Sequence, residues 1–183
     1  MDNAFGSVDS WMDNSAIEGL RKSILSRYKD GLFHQAGIGA KENFQTAETI
    51  RKDRVWWIDN PLPGSSEEKF FLKMYDFIQY LNKTCFTGLK SYEFHYAVYE
   101  EGSYYKKHVD QFVNDLSRKF SFVLYLSETW LPGDGGELLL FTEKEVLTIA
   151  PIPGKILFFT SDLPHEVLRT NKQRLSLTGW LKS

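Results

Sequence analysis

From Gly88 onward the chain is a succession of short β-rich runs, and no other feature restricts its fold as much. YEFHYAVYE, FSFVLYLS, GELLLFT, VLTIA, KILFF, HEVLR and RLSLTGWL follow one another. Gly and Pro punctuate them at Leu131-Pro132-Gly133, Gly135-Gly136 and Pro151-Ile152-Pro153-Gly154. Many short strands at this spacing argue for a two-sheet sandwich or jelly roll rather than alternating βαβ units.

The first half carries helical signals instead. Asn14 or Ser15 is placed to cap a helix over AIEGLRKSILSRYKD, with Glu18 closing a capping box. Ile17, Leu20, Ile24, Leu25 and Tyr28 fall on one face of it. A second helix begins at Ser65 or Ser66, with Glu67 and Glu68 at its positive end. Its apolar stripe runs through Phe70, Phe71, Met74, Phe77, Ile78 and Leu81. Between the helices, a Gly-containing polar stretch reads as a loop. VWWI then turns β-like before the Asn60-Pro61-Leu62-Pro63-Gly64 turn. No internal repeat or low-complexity linker divides the 183 residues, so one domain is the simplest partition.

Charge and cysteine usage narrow the function classes. With 22 basic and 24 acidic residues and no basic stripe, a non-specific grip on nucleic acid is not expected. The single Cys85 cannot form an intrachain disulfide, which fits a reducing compartment; it reads as a small buried apolar group. The opening MDNAFGSVDS lacks a signal-peptide layout, the ending GWLKS is no retention or lipidation signal, and no apolar run is long enough to span a bilayer. A cytoplasmic location without membrane attachment is therefore expected. Aromatic residues make up 15% of the chain, which serves either dense packing or a pocket walled by rings.

The chemistry centres on His108, Asp110 and His165. On a strand, residues i and i+2 point to the same face, so His108 and Asp110 converge while Val109 points away. His-x-Asp alone is a weak signal. Joined by His165 at the start of HEVLR, it becomes the two-His, one-carboxylate set suited to non-haem Fe(II). Three protein ligands leave about three octahedral positions open for a bidentate 2-oxoacid and O₂, whereas a structural zinc site would fill its shell. Arg174, after the turn TNKQ, should lie on the strand neighbouring that of His165. There it is either a surface charge or a buried partner for a carboxylate. His34 and His95 lack partners at useful spacing and read as non-ligands.

From Arg51 to Trp180 the chain resembles the prolyl 4-hydroxylase-like 2-oxoglutarate oxygenases, nearest the hypoxia-factor prolyl hydroxylases and their bacterial relatives. IRKDRVWWID, HYAVYEEGSYYKKHVD, FVLYLSETW, GGELLLF, PIPGKILFFTSDLPHEV and RLSLTGW carry the resemblance, about two thirds of the chain. It implies a mainly β fold with supporting helices, a double-stranded β-helix (jelly roll). Residues 1–183 would form one dioxygenase domain, with 1–88 as mainly helical support plus a substrate-side loop and strand, and 89–183 as the catalytic core.

By the same resemblance His108, Asp110 and His165 bind the iron, and Arg174 holds the distal carboxylate of 2-oxoglutarate. Tyr125 donates to that carboxylate, Tyr99 is a pocket tyrosine near the co-substrate, and Thr178 sits beside the oxygen site. Tyr and Thr favour strands anyway, so Tyr99 and Thr178 serve equally well as plain sheet residues. The spacing from Tyr99 to His108 is one residue shorter than in the animal enzymes. Trp56, Trp57 and Ile58 match a strand lining the substrate side, Trp180 is expected to pack under the sheet, and Asp53 and Arg118 either pair or stay solvated. The loop at 35–50 is either a lid over the peptide or ordinary surface loop.

The implied activity is peptidyl-prolyl 4-hydroxylation of a cytosolic protein, with Fe(II), 2-oxoglutarate and O₂ required and ascorbate as an accessory reductant. Bacterial members acting on elongation factor Tu make that factor the first candidate partner. One alternative is an oxygenase of a small molecule or another side chain. Alkylated nucleic acid is disfavoured, because Trp180 stands where such demethylases carry a second arginine. The other alternative is a non-enzymatic metal-binding β-sandwich.

Overall fold

The computed structural model describes residues 5–37 and 49–183. Two helices, α1 (Asn14–Lys29) and α2 (Ser66–Cys85), support eleven strands. In chain order the strands are β1 (Phe5–Val8), β2 (His34–Gln35), β3 (Arg54–Trp57), β4 (Ser91–Tyr99), β5 (Tyr105–His108) and β6 (Arg118–Tyr125), then β7 (Leu138–Phe141), β8 (Val146–Ile149), β9 (Ile156–Thr160), β10 (His165–Val167) and β11 (Arg174–Lys182). They form a seven-stranded sheet ordered β1-β9-β6-β11-β4-β3-β2 and a four-stranded sheet ordered β5-β10-β7-β8. All recorded pairings are antiparallel. This is the mainly β jelly roll expected from the run of short strands. The seven runs after Gly88 all form strands, and β5 supplies the strand assumed at His108; β1 and β2 were not expected.

Alternation along β4 shows how the large sheet is buried on both faces. Phe94, Tyr96 and Val98 enter a core with Leu20, Ile24, Phe70, Met74 and Ile78 of the helices. Ala97 and Tyr99 face the other sheet and join Tyr125, Leu140, Leu157 and Phe159. A strand's two-residue period sends successive side chains to opposite faces, so one strand serves both cores. Gly179 of β11 lies opposite Phe94 and meets the Glu93 carbonyl so closely that a Cβ would sit 2.2 Å from its oxygen.

The helix starts reflect cap chemistry. Asp13, not Asn14 or Ser15, caps α1: its carboxylate accepts from the Ala16 N–H at 2.8 Å. Starting there, α1 places Glu18 beyond the capping-box position, and Glu18 pairs with Lys22 at 2.7 Å instead. Leu25 is exposed. Ser65 caps α2 as expected, accepting from Glu68 N–H. Glu67, read from sequence as a dipole charge, is buried: it pairs with Arg27 of α1 at 2.9 Å and accepts from the Tyr96 hydroxyl at 2.9 Å. This joins both helices to the sheet. Cys85 is exposed rather than buried, because it ends α2 past that helix's last buried residue, Leu81, and beside exposed Phe86. Among the described residues no helix is long and apolar enough to cross a membrane.

Candidate active site

Between the two sheets lies a cavity of about 710 Å³. Strand pairing assembles its acidic and imidazole groups. β5 and β10 pair antiparallel with His108 directly opposite His165, which brings the ring centroids to 4.2 Å. Asp110 completes the group, with its carboxylate oxygens 3.6 Å from His108 Nε2 and 3.4 Å from His165 Nε2. One donor atom from each of the three residues lies within 4.8 Å of the others.

The route by which Asp110 arrives differs from the expected strand alternation. β5 ends at His108, and Asp110 sits in a bend beyond it. Its N–H donates to the Ser161 carbonyl at 3.0 Å, and its carboxylate accepts from Ser121 Oγ at 2.6 Å. Ser121 belongs to β6 of the large sheet, so both sheets fix the group. Neither serine was singled out in the sequence, where nothing marks a buried serine from an exposed one.

Each imidazole is oriented through its other nitrogen. His108 Nδ1 lies 2.7 Å from the Lys106 carbonyl and His165 Nδ1 2.9 Å from the Leu163 carbonyl. A carbonyl only accepts, so both Nδ1 atoms carry the proton and both Nε2 lone pairs face the common centre. The Tyr105 ring stacks on His108 at 3.4 Å between centroids, with Arg51 over its far face. Burial lowers the His165 pKa, although Asp110 opposes it. For Asp110 burial works the other way, but His165, His108 and the Ser121 hydroxyl outweigh it and hold the carboxyl below the usual range. Two imidazole nitrogens with one carboxylate oxygen suit Fe(II).

Deeper in the cavity Arg174 is 4% exposed. Its strand does not neighbour that of His165, as expected from sequence, but faces it across the sandwich, between β4 and β6. The guanidinium lies over the rings of Tyr99 and Tyr125 at 4.9 and 5.0 Å. Among the described residues it meets the Ser176 hydroxyl at 3.4 Å, and its Nε has no partner. Among the described residues the buried Tyr125 hydroxyl has only the Arg174 guanidinium beside it and no acceptor for its proton. Burial raises its pKa against the opposing pull of Arg174, so it stays a donor. A buried cation and a buried donor left open together call for an anionic guest. Gly136 permits this placement: its φ is +76°, and a Cβ there would come within 2.9 Å of Arg174 Cδ.

Thr178 also lines the cavity, two rows from Arg174 on the same face of β11. Several expectations change. Asp53 pairs with Arg51 at 2.6 Å and Arg118 with Glu93 at 2.6 Å, so Asp53 and Arg118 do not pair with each other. Trp180 does not pack under the sheet; it lines the cavity with Arg118 over its ring at 3.5 Å. Of the segment 56–58 only Trp57 lines the cavity, while Trp56 and Ile58 turn to the helix side, as alternation requires. His34 and His95 lie outside the three-residue group, though both line the cavity. Most of the expected lid at 35–50 lies outside the described residues.

Comparison with known proteins agrees with this geometry. The model of the 2OG-Fe(II) oxygenase superfamily matches residues 94–182. A prolyl-4-hydroxylase from Pseudomonas putida is 32% identical and superposes with a TM-score of 0.90, over 98% of this chain and 93% of that one. A prolyl hydroxylase of Trichoplax adhaerens, solved with a peptide of the hypoxia inducible factor, shares the fold at 24% identity, TM-score 0.86, over 98% and 84% of the two chains. A viral collagen prolyl hydroxylase from Paramecium Bursaria Chlorella virus-1 shares it at 17% identity, TM-score 0.68, over 99% and 97%.

Proposed function

This chain belongs to the 2OG-Fe(II) oxygenase superfamily as a prolyl hydroxylase-like dioxygenase using Fe(II), 2-oxoglutarate and O₂, and on that premise we propose that it hydroxylates a prolyl residue within a protein. The observation that carries the site assignment is the buried Arg174, which among the described residues has no carboxylate partner, in the same cavity as a two-His, one-Asp group. In this reading His108, Asp110 and His165 hold the iron. Arg174 and Tyr125 receive the distal carboxylate of 2-oxoglutarate, Tyr99 bounds that end of the pocket, and Thr178 stands nearer the reacting centre. Iron bound there supplies the redox chemistry that couples decarboxylation of 2-oxoglutarate to hydroxylation of a C–H bond.

The remaining work falls to the protein. Arg174 Nε and the Tyr125 hydroxyl replace the water that a carboxylate loses on entry. The Lys106 and Leu163 carbonyls keep the Nδ1 protons in place, so both Nε2 atoms stay available. Ser121 O–H holds one Asp110 oxygen and so sets the carboxylate's rotation. Trp57 and Trp180 offer apolar walls at the other end, suited to a proline ring, which presents no N–H. The Pseudomonas relative supports prolyl specificity, and elongation factor Tu in the cytoplasm is the first protein to try.

The test is incubation of iron-loaded enzyme, 2-oxoglutarate and ascorbate with elongation factor Tu, followed by peptide mass spectrometry. A proline-containing peptide should gain the mass of one oxygen atom, and the Asp110→Ala variant should neither modify it nor consume 2-oxoglutarate. An unmodified factor beside an active enzyme rejects that partner. Turnover with free amino acids but with no peptide rejects the prolyl-protein reading.

A further inference from the structure

His95 is a polar residue that the site as described so far does not use. It lies on β4, opposite Thr178 of β11 and Trp57 of β3, and lines the cavity with both. It is 4% exposed. Its ring packs beside two indoles, 4.8 Å from Trp57 and 5.4 Å from Trp180 between centroids, which lie 6.2 Å from each other. Among the described residues its Nδ1 is buried and has no hydrogen-bond partner. A packing role would be met by any apolar side chain of this size without leaving a buried polar atom unsatisfied. A neutral imidazole has one N–H and one bare nitrogen. With Nδ1 sealed, Nε2 is the nitrogen left to meet a guest.

The chemistry of a prolyl target decides what that nitrogen must do. Proline has no amide N–H, so the two carbonyls on either side of its nitrogen and Cα accept hydrogen bonds with no donor between them. A wall group that binds them must therefore donate. The two tryptophans beside His95 give a guest ring apolar surface but no sense of which way the chain runs through the pocket. We propose that His95 is a specificity-determining residue whose Nε2–H donates to a peptide carbonyl oxygen next to the target proline, fixing chain direction while Trp57 and Trp180 hold the ring. This rests on the prolyl-protein reading above. It predicts a preference for proline inside a peptide over free proline, because the free carboxylate alters the acceptor.

Two variants separate donation from bulk. His95→Leu keeps most of the volume beside the indoles and removes the donor; His95→Gln places an amide N–H near the Nε2 position. The probes are blocked pentapeptides with a central proline and varied flanks, given to the iron-loaded enzyme with 2-oxoglutarate and O₂. For peptides the wild type hydroxylates, His95→Leu should raise the peptide KM roughly 10-fold or more, as expected for losing one hydrogen bond. His95→Gln should recover most of that loss, and the KM for 2-oxoglutarate should shift less than about 2-fold in both. Imidazole nitrogen shifts of the zinc-loaded wild type, read by NMR, should show the Nε2–H tautomer with and without peptide. An unchanged peptide KM in His95→Leu, failure of His95→Gln to recover, or an Nδ1–H tautomer overturns the role of His95 alone. A wild type that consumes 2-oxoglutarate but hydroxylates none of the peptides overturns the prolyl-protein reading, and this inference with it.

Discussion

A buried guanidinium without a carboxylate is a cost to the fold, and at Arg174, which has none among the described residues, that cost has a measurable consequence. Replacing a buried charge by an apolar side chain of similar length is often neutral or stabilising. Arg174→Met should therefore leave the ligand-free protein as stable as the parent, or more stable by about 1 kcal/mol, in urea unfolding. The same variant should raise the KM for 2-oxoglutarate by roughly two orders of magnitude, since charge-assisted hydrogen bonds are lost. A loss of stability in the ligand-free variant would instead make Arg174 a structural residue. His95 makes the second residue-scale prediction. Burial, helped by Arg51 and Arg118 and opposed by Asp53 and Asp110, lowers its pKa to about 3. The folded chain thus keeps it neutral, while the unfolded chain binds a proton below about 6.5. Its contribution is complete above that value and is lost as pH falls toward 3. Between about pH 7.5 and 5.5 that amounts to about 1 kcal/mol. His95→Leu should flatten the pH dependence of unfolding by that amount, and an unchanged slope would contradict it.

At the scale of elements, the pairing of β4 with β11 decides the depth and width of the site. This pair places Arg174 opposite Tyr99 and Thr178 opposite His95, and its register is pinned where Gly179 meets the Glu93 carbonyl. Adding a methyl group there forces backbone apart rather than a flexible side chain, so Gly179→Ala should destabilise by about 2 kcal/mol or more. Urea unfolding measures the loss, and parent-like stability would show that the strands separate easily. The β5–β10 pair has the complementary task of setting His108 against His165. The two helices act from the far side. The Arg27–Glu67 pair and the Tyr96 hydroxyl tie them to β4, whose inward residues face the cavity.

For the molecule as a whole, the site is made where two sheets meet, so a ligand that touches both should stiffen the entire sandwich. Binding only to the folded state stabilises by mass action, about 2.7 kcal/mol at roughly 100 times Kd. For a chain of this size that corresponds to a rise of roughly 5–10 °C in Tm. Manganese with 2-oxoglutarate should produce it in the parent protein, and neither Asp110→Ala nor Arg174→Met should show the full rise in calorimetry. Equal shifts in all three would place binding elsewhere. Much of this arrangement was already legible in the chain. Apolar periodicity and Gly–Pro punctuation are local, so they marked both helices and the seven strands after Gly88. The residue types of His108, Asp110, His165 and Arg174 marked the chemistry because metal and anion binding restrict which side chains serve. What the order of residues did not contain was the partner of each group. Asp110 depends on Ser121 and Ser161, Asp53 on Arg51, and Arg118 on Glu93. The burial of Glu67 and the exposure of Cys85 likewise follow from where a helix lies on a sheet. Local periodicity fixes which face a side chain takes, whereas a partner distant in the chain is chosen only when register brings two strands together.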